Sequence, residues 1–187
     1  MCNRIESLGS IFYLRRWTAF LLGCACLVCL KTQAQTDLKA ATPYVQRRHG
    51  FSIQFPLGWR VKDKGTKTVV KATKVLPNGK YDASILIHAD SPGRLTNTWE
   101  VSPEKLYRSE QTTLLDSGRM ELNGLKATWL KCPMELPIFG KRTAIAYLII
   151  VNNRLIKITC FAPPEKFERY SPVFERTAKS FRKLATR

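Results

Sequence analysis

The chain is poor in residues that build reactive sites. It holds two histidines, His49 and His88, in 187 residues, and no Ser/His/Asp arrangement of the GxSxG type accompanies them, so hydrolytic catalysis finds no support. Beyond residue 34 there is no CxxC pair and no Cys/His spacing suited to a metal, because only Cys132 and Cys160 remain. Cys160 as a nucleophile would need a histidine brought to it by the fold, and on an apolar strand it reads as a buried thiol. Acid is scarce as well: 14 Asp and Glu stand against 31 Lys and Arg. Long linkers, internal repeats and low-complexity tracts are missing, which points to a single domain. The apolar run Trp17–Leu30 has 14 residues, short of the roughly 20 that a membrane-spanning helix needs.

That run has the layout of an export signal. Arg15 and Arg16 precede it, Lys31 ends it, and the small-residue pattern Thr32-Gln33-Ala34 follows, so cleavage after Ala34 is expected. Two variants of the address are present in the residues. Leu21-Leu22-Gly23-Cys24 resembles a lipobox with Cys24 as the lipidated residue, although the apolar sequence after Cys24 differs from the polar tether of a lipid-anchored domain. The Arg15-Arg16 pair also hints at a twin-arginine signal. Removal of residues 1–34 takes away Arg4, Arg15, Arg16, Lys31 and Glu6, leaving 27 basic and 13 acidic residues and a net charge of +14. Such a surface favours acidic proteins, membrane complexes or anionic lipid surfaces as partners, and export excludes nucleic acid. The expected compartment is the periplasm, the cell envelope or a thylakoid lumen.

Residues 35–49 read as a polar tether and 50–187 as the domain. Phe51, Ile53 and Phe55 alternate with polar residues before a Pro-Leu-Gly turn, a half-buried strand. Residues 67–76 and 81–89 flank Pro77-Asn78-Gly79-Lys80, and Asn-Gly between alternating segments predicts a hairpin. Ser102, Pro103 and Glu104 open a helix with a modest apolar stripe reaching Leu114. Strands follow from Leu125, Arg142 and Arg154, the last two joined at Asn152-Asn153. The fold class is therefore α+β, an antiparallel meander with hairpins packed against helices. Cys132 and Cys160 then lie on strands flanking 142–151, about two spacings of ~4.8 Å apart. That is beyond the ~7 Å reach of a disulfide, so buried thiols are expected. Pro163-Pro164 ends the last strand, a short helix carries Phe167 and Tyr170, and Ser171-Pro172 starts a second helix whose Phe174, Ala178 and Phe181 face the sheet.

The segments FSIQFPLGW and AYLIIVNNRLIKITCFAPPEKFERYSPVFERTAKSF, with the Asn-Gly hairpin between them, resemble the PsbP-like fold over about residues 50–184. That group includes the extrinsic PsbP proteins of photosystem II, bacterial DcrB-like envelope proteins and a eukaryotic Ran-release factor. The resemblance implies an α/β/α sandwich with an antiparallel sheet between helices. It also implies a noncatalytic role: a PsbP-type protein docks on the lumenal face of photosystem II with the help of basic residues and helps to retain calcium and chloride.

Two candidate sites follow. His88 and Asp90, at i and i+2, point to one face of a strand and present two metal ligands, for which calcium, manganese and zinc are the candidate ions. No third ligand is evident, and Leu86 shares that face. Arg60, Lys62, Lys64, Lys67, Lys71, Lys74 and Lys80 stand against Asp63 and Asp82 around the hairpin. On one outer face they would form a docking patch; otherwise they guard a solvated sheet edge against aggregation. His49 beside Arg47 and Arg48 reads as part of the basic tether.

Overall fold

A computed structural model describes residues 43–65, 68–106 and 113–185. Seven strands form one antiparallel sheet in the order β3-β4-β5-β9-β8-β7-β6. They are β3 (Arg60–Asp63), β4 (Thr68–Val75), β5 (Tyr81–Asp90), β6 (Asp116–Leu122), β7 (Leu125–Leu136), β8 (Gly140–Val151) and β9 (Arg154–Ala162). A smaller sheet joins β1 (Tyr44–Gln46) to β2 (Phe51–Ile53), and β2 to β10 (Arg182–Lys183). The expected tether therefore ends earlier: Tyr44–Gln46 is a strand and Arg47–His49 a single 3-10 turn. The export signal, Cys24 and residues 35–42 lie outside the described residues.

Helix α2 (Phe167–Lys179) covers one face of the large sheet. Apolar residues at alternate positions of the central strands, such as Ile85 and Ile87 on β5 and Ile156 and Ile158 on β9, meet Phe167, Phe174 and Ala178 there. This is one continuous helix, whereas the sequence suggests two. Pro172 removes a donor inside it, which normally breaks a helix. Phe167, Tyr170, Phe174 and Ala178 nevertheless form one stripe across the proline, and its contact with the sheet holds the two halves in line. The turn between β6 and β7 caps the far end: the Asn123 amide donates to the Lys179 and Phe181 carbonyls at 2.8 and 2.7 Å. Both Asn123 and Gly124 are left-handed, as a two-residue hairpin turn requires.

The other face is covered in part by the segment around Thr98–Glu100 and the short helix α1 (Pro103–Leu106). Trp99 donates its indole N–H to the Ala127 carbonyl at 2.9 Å, and the Thr128 hydroxyl donates to the Thr98 carbonyl at 3.1 Å. The expected helix from Ser102 towards Leu114 is seen over Pro103–Leu106; residues 107–112 lie outside the described ones. Among the described residues no helix is long and apolar enough to cross a membrane.

Cys132 and Cys160 are free and buried. Cys132 pairs with Ala144 and Cys160 with Ile145, adjacent residues of β8, so the two thiols stand on opposite faces of the sheet as well as two strands apart. Burial raises the pKa of the Cys160 thiol well above its ordinary value, which keeps it protonated.

Gly118 on β6 lies opposite Trp129 on β7, and the nearest indole atom stands 2.7 Å from where a Cβ would project. Gly118→Ala is expected to push the ring off the sheet and lower stability by about 1–2 kcal/mol, read as a drop in Tm of about 2–8 °C. An unchanged melting curve would mean that the indole moves aside freely.

Candidate functional site

Register decides which basic side chains come together. In an antiparallel sheet, directly opposed residues share a face. One row runs Lys62, Lys71, Leu86, Thr159, Ala146 across β3, β4, β5, β9 and β8, and the next runs Arg60, Thr73, Ser84, Phe161, Ala144. Both rows lie on the face away from α2, so this face is basic over β3 and β4 and apolar over β8 and β9.

Arg60, Lys62, Lys64 and Lys71 line one small groove of about 90 Å³ with Thr73 and Tyr81, and no carboxylate is among its lining residues. Lys71 is the most enclosed of the cations. Burial lowers its pKa, and the neighbouring charges of Lys64 and Lys62 lower it further. Like charges gathered without acid are unfavourable for the isolated protein, and a docked anion would relieve them. Two aromatic rings form the adjoining wall: the Lys71 ammonium lies 5.4 Å from the ring centroids of both Tyr81 and Phe139. The Arg142 guanidinium stands 6.0 Å from the Phe139 ring and extends the positive surface along β8.

The expected basic set is thus divided. Lys74 sits opposite Ala83, in the register of the α2 face, and Lys80 lies in the hairpin loop beyond the groove. Lys67 falls outside the described residues. Tyr81, Phe139 and Arg142 escaped the sequence reading. Tyr81 stands first in the second hairpin strand, where the alternation could have placed it; Phe139 and Arg142 belong to another hairpin, and only strand order brings them near.

His88 and Asp90 share a face, as their spacing predicts. The His88 Nε2 lies 2.9 Å from the Thr68 hydroxyl, and burial together with the charge of Lys157 lowers the pKa of the ring. Among the described residues no cluster of three His, Cys, Asp or Glu suited to a metal ion occurs, so this pair gains no third ligand.

A different acid secures the helix. The register between β4 and β5 slips at Lys74–Val75 and leaves Asp82 without a cross-strand partner, a bulge that re-aims its side chain. Asp82 is 5% exposed; it accepts from the Lys166 ammonium at 2.6 Å and from the Tyr170 hydroxyl. The acid that seems, in the sequence, to dilute the basic hairpin is therefore spent on the α2 side.

No protein-family model matches the sequence, and no curated protein is similar to it. Among solved structures, the chain is similar to the solution structure of the cyanobacterial PsbP protein CyanoP from Synechocystis sp. PCC 6803. The two are 15% identical with a TM-score of 0.60, and the match covers 78% of this chain and 94% of that one. The protein has a PsbP-like fold. The same PsbP-like architecture is shared with LpqN of Mycobacterium tuberculosis, a protein involved in cell envelope biogenesis. That match is 11% identical with a TM-score of 0.52 and covers 78% of this chain and 86% of LpqN. A protein of Bacteroides thetaiotaomicron aligns at 10% identity and a TM-score of 0.53 over 78% of this chain, which spans 49% of that longer one. Identities this low speak for the PsbP-like fold alone.

Proposed function

We propose that this protein is an exported, noncatalytic accessory domain that docks on an acidic partner, a membrane complex or an envelope protein, through the groove of Arg60, Lys62, Lys64 and Lys71. The observation that carries this reading is the convergence of those four cations with no carboxylate in the groove. Tyr81, which is 46% exposed, and Phe139 beside it supply flat apolar contact next to the charges. A basic groove walled by aromatic rings suits an acidic protein surface: charge directs the encounter, and ring contact slows departure. The layout of residues 15–34 supports export. The PsbP-like fold, which hosts docking proteins, agrees with a binding role.

Binding to membranes isolated from the source cells tests this. The bound fraction is expected to fall about tenfold between about 50 and about 300 mM salt. The triple variant Arg60→Gln/Lys62→Gln/Lys71→Gln is expected to show the same loss at low salt. Binding that ignores both salt and the triple variant would rule out the groove as the docking surface.

A further inference from the structure

A second basic hollow, of about 600 Å³, lies between the 3-10 turn that precedes β2 and the turn that joins β8 to β9. Arg47, Arg48 and His49 line it from the first turn and Arg154 from the second, with Asn152 and Leu184 between them. No Asp or Glu is among its lining residues.

The three chain segments that frame it are fixed to one another. Gly50 is left-handed and closes the first turn by donating its N–H to the Arg47 carbonyl at 3.2 Å. A Cβ on Gly50 would run into the side-chain amide of Asn152, so the two turns touch because that residue is glycine. The Leu184 N–H donates to the Gly50 carbonyl at 2.9 Å and brings in the segment after β10. Asn152 and Asn153 both take left-handed backbone, the geometry of a tight hairpin turn, which directs Arg154 to the hollow at the start of β9. The Nδ1 of His49 is closed to solvent and has no hydrogen-bond partner among the described residues. Burial and the charges of Arg154 and Arg48 lower the pKa of this ring, against an opposing effect of Asp63. Asp63 itself accepts from the Tyr44 hydroxyl at 2.9 Å and from the Gly65 N–H at 3.3 Å.

We propose that this hollow binds a phosphoryl group, carried by a small organic phosphate or by a lipid headgroup, with Arg47, Arg48 and Arg154 as its cationic ligands. Three guanidinium groups with no acid among the lining residues call for more than one negative charge. A phosphate monoester supplies about two charges and three free oxygens, each able to accept from a planar fork, whereas a carboxylate offers one charge and two oxygens. The hollow is also larger than the ion alone requires and falls within the usual range of small-molecule sites. This site is separate from the groove on β3 and β4 and stands or falls independently of it.

Titration calorimetry on the protein as purified from cells, with inorganic phosphate, glycerol 3-phosphate and acetate, tests the assignment. Phosphate is expected to bind and acetate to bind at least about tenfold more weakly. Arg154→Gln and, separately, Arg48→Gln are expected to weaken phosphate binding about tenfold while the melting temperature shows that each variant is folded. Lys62→Gln/Lys71→Gln is expected to leave it unchanged. Glycerol 3-phosphate binding more tightly than inorganic phosphate supports a soluble ligand. Binding to phosphatidate-containing vesicles, displaced by inorganic phosphate and lost in Arg154→Gln, supports a headgroup. The proposal is overturned if none of the phosphates binds, if acetate binds as well as phosphate, or if the groove variant reduces binding as much as Arg154→Gln does.

Discussion

Phe174→Ala is expected to destabilise the protein by about 4 kcal/mol, the largest effect of any single truncation considered. The ring is fully buried at the middle of α2. It meets Tyr170 in a stacked arrangement at 5.9 Å, Phe167 at 5.9 Å and Trp59 edge-on at 6.4 Å. Removing it takes away buried apolar area and leaves a cavity between helix and sheet that three rigid rings cannot collapse to fill. Pro172 sharpens the effect. A helix lacking one internal bond depends on its packed stripe for continuity, so loss of the central residue is expected to loosen both halves. Urea unfolding followed by circular dichroism measures this as a lower midpoint with an unchanged slope. A loss below about 1 kcal/mol would show that the aromatic cluster is not what seats the helix.

The second large effect is a pH-dependent one at Asp82. Burial alone would raise the pKa of this carboxyl. The hydrogen bonds from Lys166 and Tyr170 and the charges of Lys166 and Arg169 outweigh burial and hold it below the ordinary value. A carboxyl depressed in the folded state adds stability that is fully present above its unfolded pKa of about 3.9 and is lost as pH falls through the lower folded value. Asp82→Asn keeps the shape and removes the charge. At pH 7 it is expected to cost about 2 kcal/mol, since Lys166 keeps partial access to water while Tyr170 loses a charged acceptor. As pH falls through that lower folded value the curves of the two proteins are expected to converge. A gap between them that stays constant down to pH 2 or so would assign the cost to lost hydrogen-bond geometry rather than to charge.

The sheet was legible because its alternation is strong. The hairpin around Asn78-Gly79, the strands from Leu125, Arg142 and Arg154, and the two separated thiols follow from patterns of period two and from strand spacing. What escaped the reading is short or polar. Strand β3, with all four residues exposed, has no apolar alternation and forms because β4 offers it an edge. Strand β6 carries Gly118 and alternates weakly, although Asn123-Gly124 after it is the same two-residue signal that marks the other hairpin. The basic groove was legible only as a list of cations. Which of them meet depends on a register that no local pattern specifies, and bulges at both ends of the β4–β5 pairing alter it. Arg154 lay farthest from view, more than a hundred residues from Arg47, since nothing in a linear pattern joins a turn before one strand to a turn before another.

The small sheet has a bearing on the order of folding. Strand β2 pairs with β1 on one side and is completed on the other by β10, and Phe51 stacks on Phe181 at 5.3 Å, so the first apolar strand is closed in only by the last part of the domain. Loop closure of that length is slow, and the contacts that reward it come late. In a chain delivered N-terminus first, the edge of β2 that faces β10 and the Phe51 ring stay uncovered until residues near 181 arrive.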